Sequence, residues 1–534
     1  MAETRDTWGT KIGLILAMAG NAVGLGNFWR FPYQAAANGG GSFMIPYFFA
    51  LFFLGIPLML VEWTQGRTGG RYGHGTVAPM LYLHAREAMS PAAAAITGAV
   101  GGMFAFSVMA LLTSYYSQII GWTLGYSYLS LTGAYMDKAV NTGAFFVSYI
   151  QNPWYVFIFW GIALLLMAYT VSGGVQGGIE KWASVMMPIL YLFGILLAIR
   201  AITLGAPVKP EWSAIKGLDY LWEPRWSDLT WKSALAAAGQ IFFTLSVGMG
   251  IIQNYASYLK PDDDIVLSGL ATVSLNEFAE VILGGSIAIP IAYAYLGQEG
   301  VKSGVGLSFI ALPNVFRDLP GGQIWGSLWF FLLFIAGFTS AIAMFNYLSA
   351  MLEEDAGINR KVGAYIAALT FFIIGLPVAL EPILTKTAYL AYLTELDNWV
   401  GSYFLVVLGL IEVLVTATIW GKGAWEEMNR GAYVKVPRWY FEIFMRWVTP
   451  LYIAVILTFS TIDYAKGGYF SFNPATLAKF VGVAEKDIPK IGPWVLAARI
   501  VIITVLIIGF FVSYSSIKRT YGEEIAQGKV LIRR

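Results

Sequence analysis

The chain has 534 residues, of which 57% are hydrophobic, 16% aromatic and 12% charged. Soluble proteins carry about 25% charged residues, so half that density, with a mean hydropathy of +0.63, excludes a disordered chain or an ordinary soluble enzyme and predicts a multi-span membrane protein. A net charge of +2 is too balanced to imply nucleic acid or a polybasic membrane tether, the absence of cysteine excludes disulfides and thiolate sites, and His74 and His84 are poorly spaced for a metal.

The start, Met1 to Lys11, is polar, and no small-residue cleavage site closes the first apolar run, which predicts a retained span. A span needs about 20 apolar residues. Twelve segments qualify: 11–37, 41–66, 92–128, 153–172, 178–202, 234–258, 263–296, 322–352, 362–382, 388–420, 438–461 and 494–516. Alternating strand patterning is absent, so the expectation is an all-α membrane protein with twelve transmembrane helices. An even count puts both termini on one side. Five Lys/Arg between Lys518 and Arg534, four in the 421–438 loop, and Arg67, Arg71 and Arg86 predict that this side is cytoplasmic. The insert 203–233, rich in Trp and Pro, reads as a structured external loop.

Segment 1 breaks its own helix pattern from Gly20 to Asn27, with three glycines and two asparagines, and segment 6 does so from Thr244 to Gly250. Glycine costs about 1 kcal/mol against alanine in a helix, and Asn competes for backbone hydrogen bonds. A single break reads equally well as close glycine packing between helices. Two breaks five segments apart, one in each half of a ten-span core, predict an inverted repeat with a binding site between them. A half-helix that starts in mid-membrane offers N–H groups to a carboxylate, and one that stops there offers carbonyls to a small hard cation.

Candidate ionisable residues at membrane depth inside the segments include Arg30, Glu62, Glu277, Glu280, Asp397 and Glu412. Each costs about 2.5–3.5 kcal/mol at a helix centre, so all must be paired, hydrated or near an end. Glu62 and Glu412 read as segment-end residues, and Glu277 as part of a solvated helix end. Arg30 is expected in a water-filled vestibule with a carboxylate partner. Asn276 and Glu280, four apart, share a helix face that suits an ion. Thr339 and Ser340 put two hydroxyls in apolar segment 8, either as cation ligands or bonded back to the i−4 carbonyl. No zinc-protease, serine-hydrolase or nucleotide-binding motif is present, so a channel or an amino-acid-sensing receptor are the alternatives to a transporter.

The runs NAVGLGNFWRFPY, NGGGSFMIPY, GIPLMLVEW, GQIFFTLSVGMG, LSGLATVSLNEFAEVILGGS and AGFTSAIAMF resemble the neurotransmitter:sodium symporter family, in its prokaryotic branch, over nearly the whole chain. The resemblance implies a LeuT-like 5+5 inverted repeat with helices 1 and 6 broken. Residues 1–202 would form the first repeat, 203–233 the extracellular loop, 234–420 the second repeat, and 421–534 the last two helices and a cytoplasmic tail. It implies a non-enzyme in a prokaryotic plasma membrane: a symporter of neutral apolar α-amino acids, working by alternating access with two sodium ions. One sodium would bind the Ala22 carbonyl, Asn27, Thr244, Asn276 and the substrate carboxylate. The other would bind the carbonyls of Gly20, Val23 and Ala336 and the hydroxyls of Thr339 and Ser340. Substrate would lie against Asn21, Ala22, Gly24, Gly26, Leu112, Tyr116, Phe243, Thr244, Ser246, Met249, Ser340 and Met344. Arg30 with Asp397 would gate the outside. Arg5 with Glu354, near Trp8, Ser257 and Tyr258, would gate the inside, with Asp355 a competing acceptor. Glu280, beside Tyr47 and Gln240, would replace chloride and allow proton counter-transport. Gly24 stands where the monoamine branch has an aspartate, so the substrate should bring its own carboxylate. Partners are the amino acid, sodium and the bilayer, with no nucleic acid; a homodimer is left open.

Overall fold

In the computed structural model, which describes residues 6–301 and 307–532, the chain is helical with no strand among the described residues. Ten helices are long and apolar enough to span a bilayer, and an eleventh span is the bent pair Lys11–Ala22 and Gly26–Ala37, whose halves meet at 48°. Expected segment 6 is present as two short helices, Trp231–Thr244 and Ile251–Ala256, each below spanning length. The count of twelve therefore depends on reading these halves as one span.

Local chemistry sets these ends. Thr10 caps the first helix by accepting from Gly13 N, and Ser90, Asn152, Thr230 and Asp264 cap later ones in the same way. The first helix stops where Val23 turns extended (φ −77°, ψ 92°). Segment 6 stops at left-handed Ser246, Gly248 and Gly250. A Cβ on Gly248 would lie 2.2 Å from the Leu405 carbonyl oxygen, so only glycine fits that turn.

Segment 8 (Gly322–Ala356) is the hub. Its apolar window is 89% buried, against 28% for segment 11 (Arg438–Lys466) and 33% for segment 12 (Glu485–Gln527), which face outward. Segment 3 (Pro91–Leu131) packs along segments 8 and 12, and the first half of segment 1 lies against segments 5, 7 and 8. The expected external loop is structured. Helix Ala214–Trp222 is tied down by Tyr220 Oη donating to Ala36 O at 2.7 Å, and Arg225 N donates to Ser42 Oγ at 2.8 Å.

Candidate functional site

The two breaks face each other, with Ser246 Oγ donating to Asn21 O at 3.1 Å. Between them lies one small cavity lined by Ala22, Gly24, Gly26, Asn27, Leu112, Tyr116, Phe243, Ser246, Met249, Ser340 and Met344. Of the expected substrate residues only Asn21 and Thr244 stand behind this wall. The cavity measures about 10 Å³, room for about one water. The reason is local: a Cβ on Gly26 would meet the Phe243 ring at 2.7 Å, and one on Gly24 would meet Tyr116 Oη at 2.7 Å. Leu25 N donates to Tyr116 Oη at 3.0 Å, which leaves the phenol proton for another acceptor.

Behind the cavity three expected sodium ligands converge. Asn27 Nδ2 donates to Asn276 Oδ1 (2.8 Å) and to Thr244 Oγ1 (3.1 Å), and Asn276 Nδ2 also donates to Thr244 at 3.1 Å. At the expected second site, a Cβ on Gly20 would lie 3.1 Å from Thr339 Cβ, so break and hydroxyl are adjacent. Thr339 Oγ1 donates to Ile335 O at 3.0 Å. That is the i−4 bond, and it leaves the hydroxyl lone pairs for a cation, so the two readings of Thr339 are compatible.

Glu280 is fully buried beside the first cluster. Tyr47 Oη lies 2.9 Å from Glu280 Oε1, Gln240 Nε2 donates to the same oxygen at 3.0 Å, and Thr244 Oγ1 bonds Oε2. Glu277, expected on a solvated helix end, is instead half-buried with Oε2 2.8 Å from Tyr47 Oη. No periodicity argument separates Glu277 from such a patch, because the segment is apolar on most sides.

The gates differ from expectation in their partners. Arg30 lies over the Phe243 ring at 4.7 Å and donates to Gly239 O at 3.3 Å, while Asp397 accepts from Tyr115 Oη at 2.6 Å. Arg30 and Asp397 thus hold other partners in this structure. At the opposite end Trp8 Nε1 donates to Tyr255 O at 3.0 Å. Glu354 accepts from Gly75 N at 2.7 Å, and Arg5 lies outside the described residues. Asp355, the other expected acceptor, pairs with Arg519 at 2.5 Å and accepts from Ser516. Two residues were missed. Arg360 bonds Asn346 and stacks over the Tyr258 ring at 6.0 Å. Glu180 accepts from Gly9 N (2.7 Å), Thr10 N (2.9 Å) and Thr10 Oγ1 (2.7 Å), fixing the start of segment 1. Glu62 and Glu412, expected near segment ends, are fully buried and next to each other.

Non-helical stretches at Val23 and at Ser246 to Gly250 flank a buried cavity inside a bundle of helices long enough to span a membrane, the class of a multi-pass membrane protein. The chain belongs to the sodium:neurotransmitter symporter family, whose profile matches residues 5–145 and 148–518. The uncharacterized sodium-dependent transporter MJ1319 of Methanocaldococcus jannaschii is 30% identical over 491 residues, 88% of this chain and 93% of its own. YhdH of Bacillus subtilis, also an uncharacterized sodium-dependent transporter, is 31% identical over 464 residues, 85% of this chain and 98% of its own. The crystal structure of MhsT in complex with L-phenylalanine matches with a TM-score of 0.73 at 29% identity, covering 85% of this chain and 99% of that one. The protein is a multi-pass, sodium-coupled transporter and not an enzyme.

Proposed function

We propose that the protein carries a neutral, apolar α-amino acid together with two sodium ions by alternating access, without chloride. The observation that carries the substrate class is the cavity wall. No charged side chain lines it, while Leu112, Phe243, Met249 and Met344 make it apolar and Tyr116, Ser340 and the break backbones supply polar contacts. A net-charged ligand would have no counter-charge there, whereas a zwitterion brings both. MhsT is a structural neighbour with bound L-phenylalanine, which agrees with a pocket able to open for a large apolar side chain.

In this reading one sodium takes oxygens of Ala22, Asn27, Thr244 and Asn276 and of the substrate carboxylate, which couples ion and substrate energetically. The other takes Gly20, Val23, Ala336, Thr339 and Ser340. The short helices of segment 6 form one broken span, 1–202 and 234–420 are the inverted repeats, and both termini are cytoplasmic. Arg30 and Asp397 meet only when the outer vestibule closes. Ionised Glu280 offsets the charge of two sodium ions in a low-dielectric core, and its reprotonation after release gives proton counter-transport.

Uptake of radiolabelled leucine or phenylalanine into proteoliposomes tests the reading. Wild-type uptake should need sodium, ignore chloride and respond to internal pH. Glu280→Ser should lose uptake in chloride-free buffer and regain it with chloride. A chloride requirement in the wild type would sink the assignment of Glu280, and sodium-independent uptake would sink both ion sites.

A further inference from the structure

Glu62 and Glu412 have no part in the transport reading above. Both carboxyls are 0% exposed, both lie deep in the bundle, and neither pairs with a Lys or Arg among the described residues. Glu62 Oε1 accepts from Gly248 N at 2.6 Å, inside the break of segment 6. Glu412 Oε1 accepts from Gln253 Nε2 at 2.5 Å, on the half-helix that follows that break. The two carboxyls lie close enough to interact with each other. From segment 8, Tyr347 is the titratable group that faces Glu412.

The hydrogen inventory does not close if both groups are ionised. Glu62 Oε2 and Glu412 Oε2 are each buried without a hydrogen-bond partner. Of the neighbouring donors, the Gly248 N–H is used on Glu62 Oε1, the Gln253 amide on Glu412 Oε1 and on Gln65 Oε1 (3.1 Å), and the Gln65 amide on Thr416 Oγ1 (2.7 Å). Ionised carboxylates only accept. Two anions this close with no cation would add strong repulsion. One added proton removes both faults, because an O–H on one carboxyl is a donor to the other.

We propose that Glu62 and Glu412 share one proton, forming a buried proton-binding site that holds the break of segment 6 and exchanges toward the face that carries both termini. The exchange path is the polar row Gln253, Gln65, Thr416 and His84. Gln65 Nε2 donates to Thr416 Oγ1 at 2.7 Å, and Thr416 Oγ1 lies within hydrogen-bond distance of His84 Nδ1, at 3.1 Å. His84 lines a cavity of about 310 Å³ with Arg71, Glu87 and Trp420 on that face. The proton moves as such: it leaves one carboxyl for solvent in the cavity beside His84 and returns the same way, and no other bond changes. The site is separate from Glu280, whose partners are Tyr47, Gln240 and Thr244.

Infrared difference spectra of the purified full chain in H2O and D2O test this. The wild type should show a carboxylic-acid C=O stretch at neutral pH that is lost in the E62Q/E412Q variant and kept in E280Q. Survival of every wild-type carboxylic-acid band in E62Q/E412Q overturns the proposal. Should the double variant not fold, E412Q alone must shift or remove the band, and an unchanged band is equally decisive against it. H84F, which keeps the ring stacked on Trp420 (centroids 4.2 Å apart), should slow H/D exchange of the same band. Exchange as fast as in the wild type overturns the assigned route. A failure of the Glu280 reading would appear in chloride dependence and would leave this band untouched.

Discussion

Met249 sits in the cavity wall at 2% exposure, so its side chain helps set the size of what can enter. Methionine adapts its shape at little cost, and a rigid phenylalanine does not. Met249→Phe should shift preference from phenylalanine and tryptophan toward leucine and smaller side chains. A methylene in an apolar pocket is worth about 1–3 kcal/mol, so the shift should reach about tenfold or more. Competition binding against leucine, phenylalanine and tryptophan reads it, and an unchanged rank order would remove Met249 from the pocket. His84 makes a second prediction, on its short helix Val77–Ala85 outside the spans. Burial, then Arg71 and Arg86, push its pKa from 6.5 down to about 3. Between those values the unfolded chain takes up a proton that the folded chain refuses, so stability falls as pH drops through the window, by about 1.4 kcal/mol per unit. His84→Phe should flatten that slope between pH 6 and 4, measured by thermal unfolding in detergent.

The start of segment 1 is held as a unit. Glu180 takes three donors from Gly9 and Thr10, and a Cβ on Gly13 would lie 2.1 Å from Glu180 Oε1, so helix and carboxylate are in close contact. Hydrogen bonds to a charged group are worth about 1.5–3 kcal/mol each. Glu180→Ala should therefore free the first half of segment 1 from segment 5 and favour opening at the face that carries the termini. The chain has no cysteine, so a single Leu14→Cys substitution, at a buried position lining a cavity on that face, gives a clean probe. Its thiol labelling should rise about tenfold or more in the Glu180→Ala background. Equal labelling would show that Glu180 does not hold the half-helix closed.

At the scale of the whole molecule, the last helix is wired back to the loop after segment 2. Arg86 and Glu524 pair at 2.8 Å with side chains 1% exposed on each side, Tyr82 Oη donates to Glu524 at 2.7 Å, and Leu531 N and Ile532 N donate to the same carboxylate. Removing one partner of a buried pair costs about 3–5 kcal/mol, because the other charge is left stranded. Arg86→Ala should lower the unfolding midpoint markedly in a detergent melt, and a midpoint within error of wild type would show the tail is not part of the cooperative unit. The amino-acid sequence by itself determined the helical membrane class, most of the span positions, both breaks and nearly all of the cavity wall. The class, the spans and the breaks follow from local composition: apolar runs of spanning length and glycines where a helix cannot continue; the cavity wall was legible only through the resemblance to the symporter family. Only the tertiary structure decided which charges meet. Periodicity could not say that Glu62 and Glu412, 350 residues apart, lie side by side in the core. Nor could it say that Asp355 turns to Arg519, that Glu180 anchors the first helix, or that Arg30 and Asp397 keep other partners. A buried charge is fixed by the groups that long-range packing brings within a few ångströms, and that distance is not written in the spacing of residues along one helix.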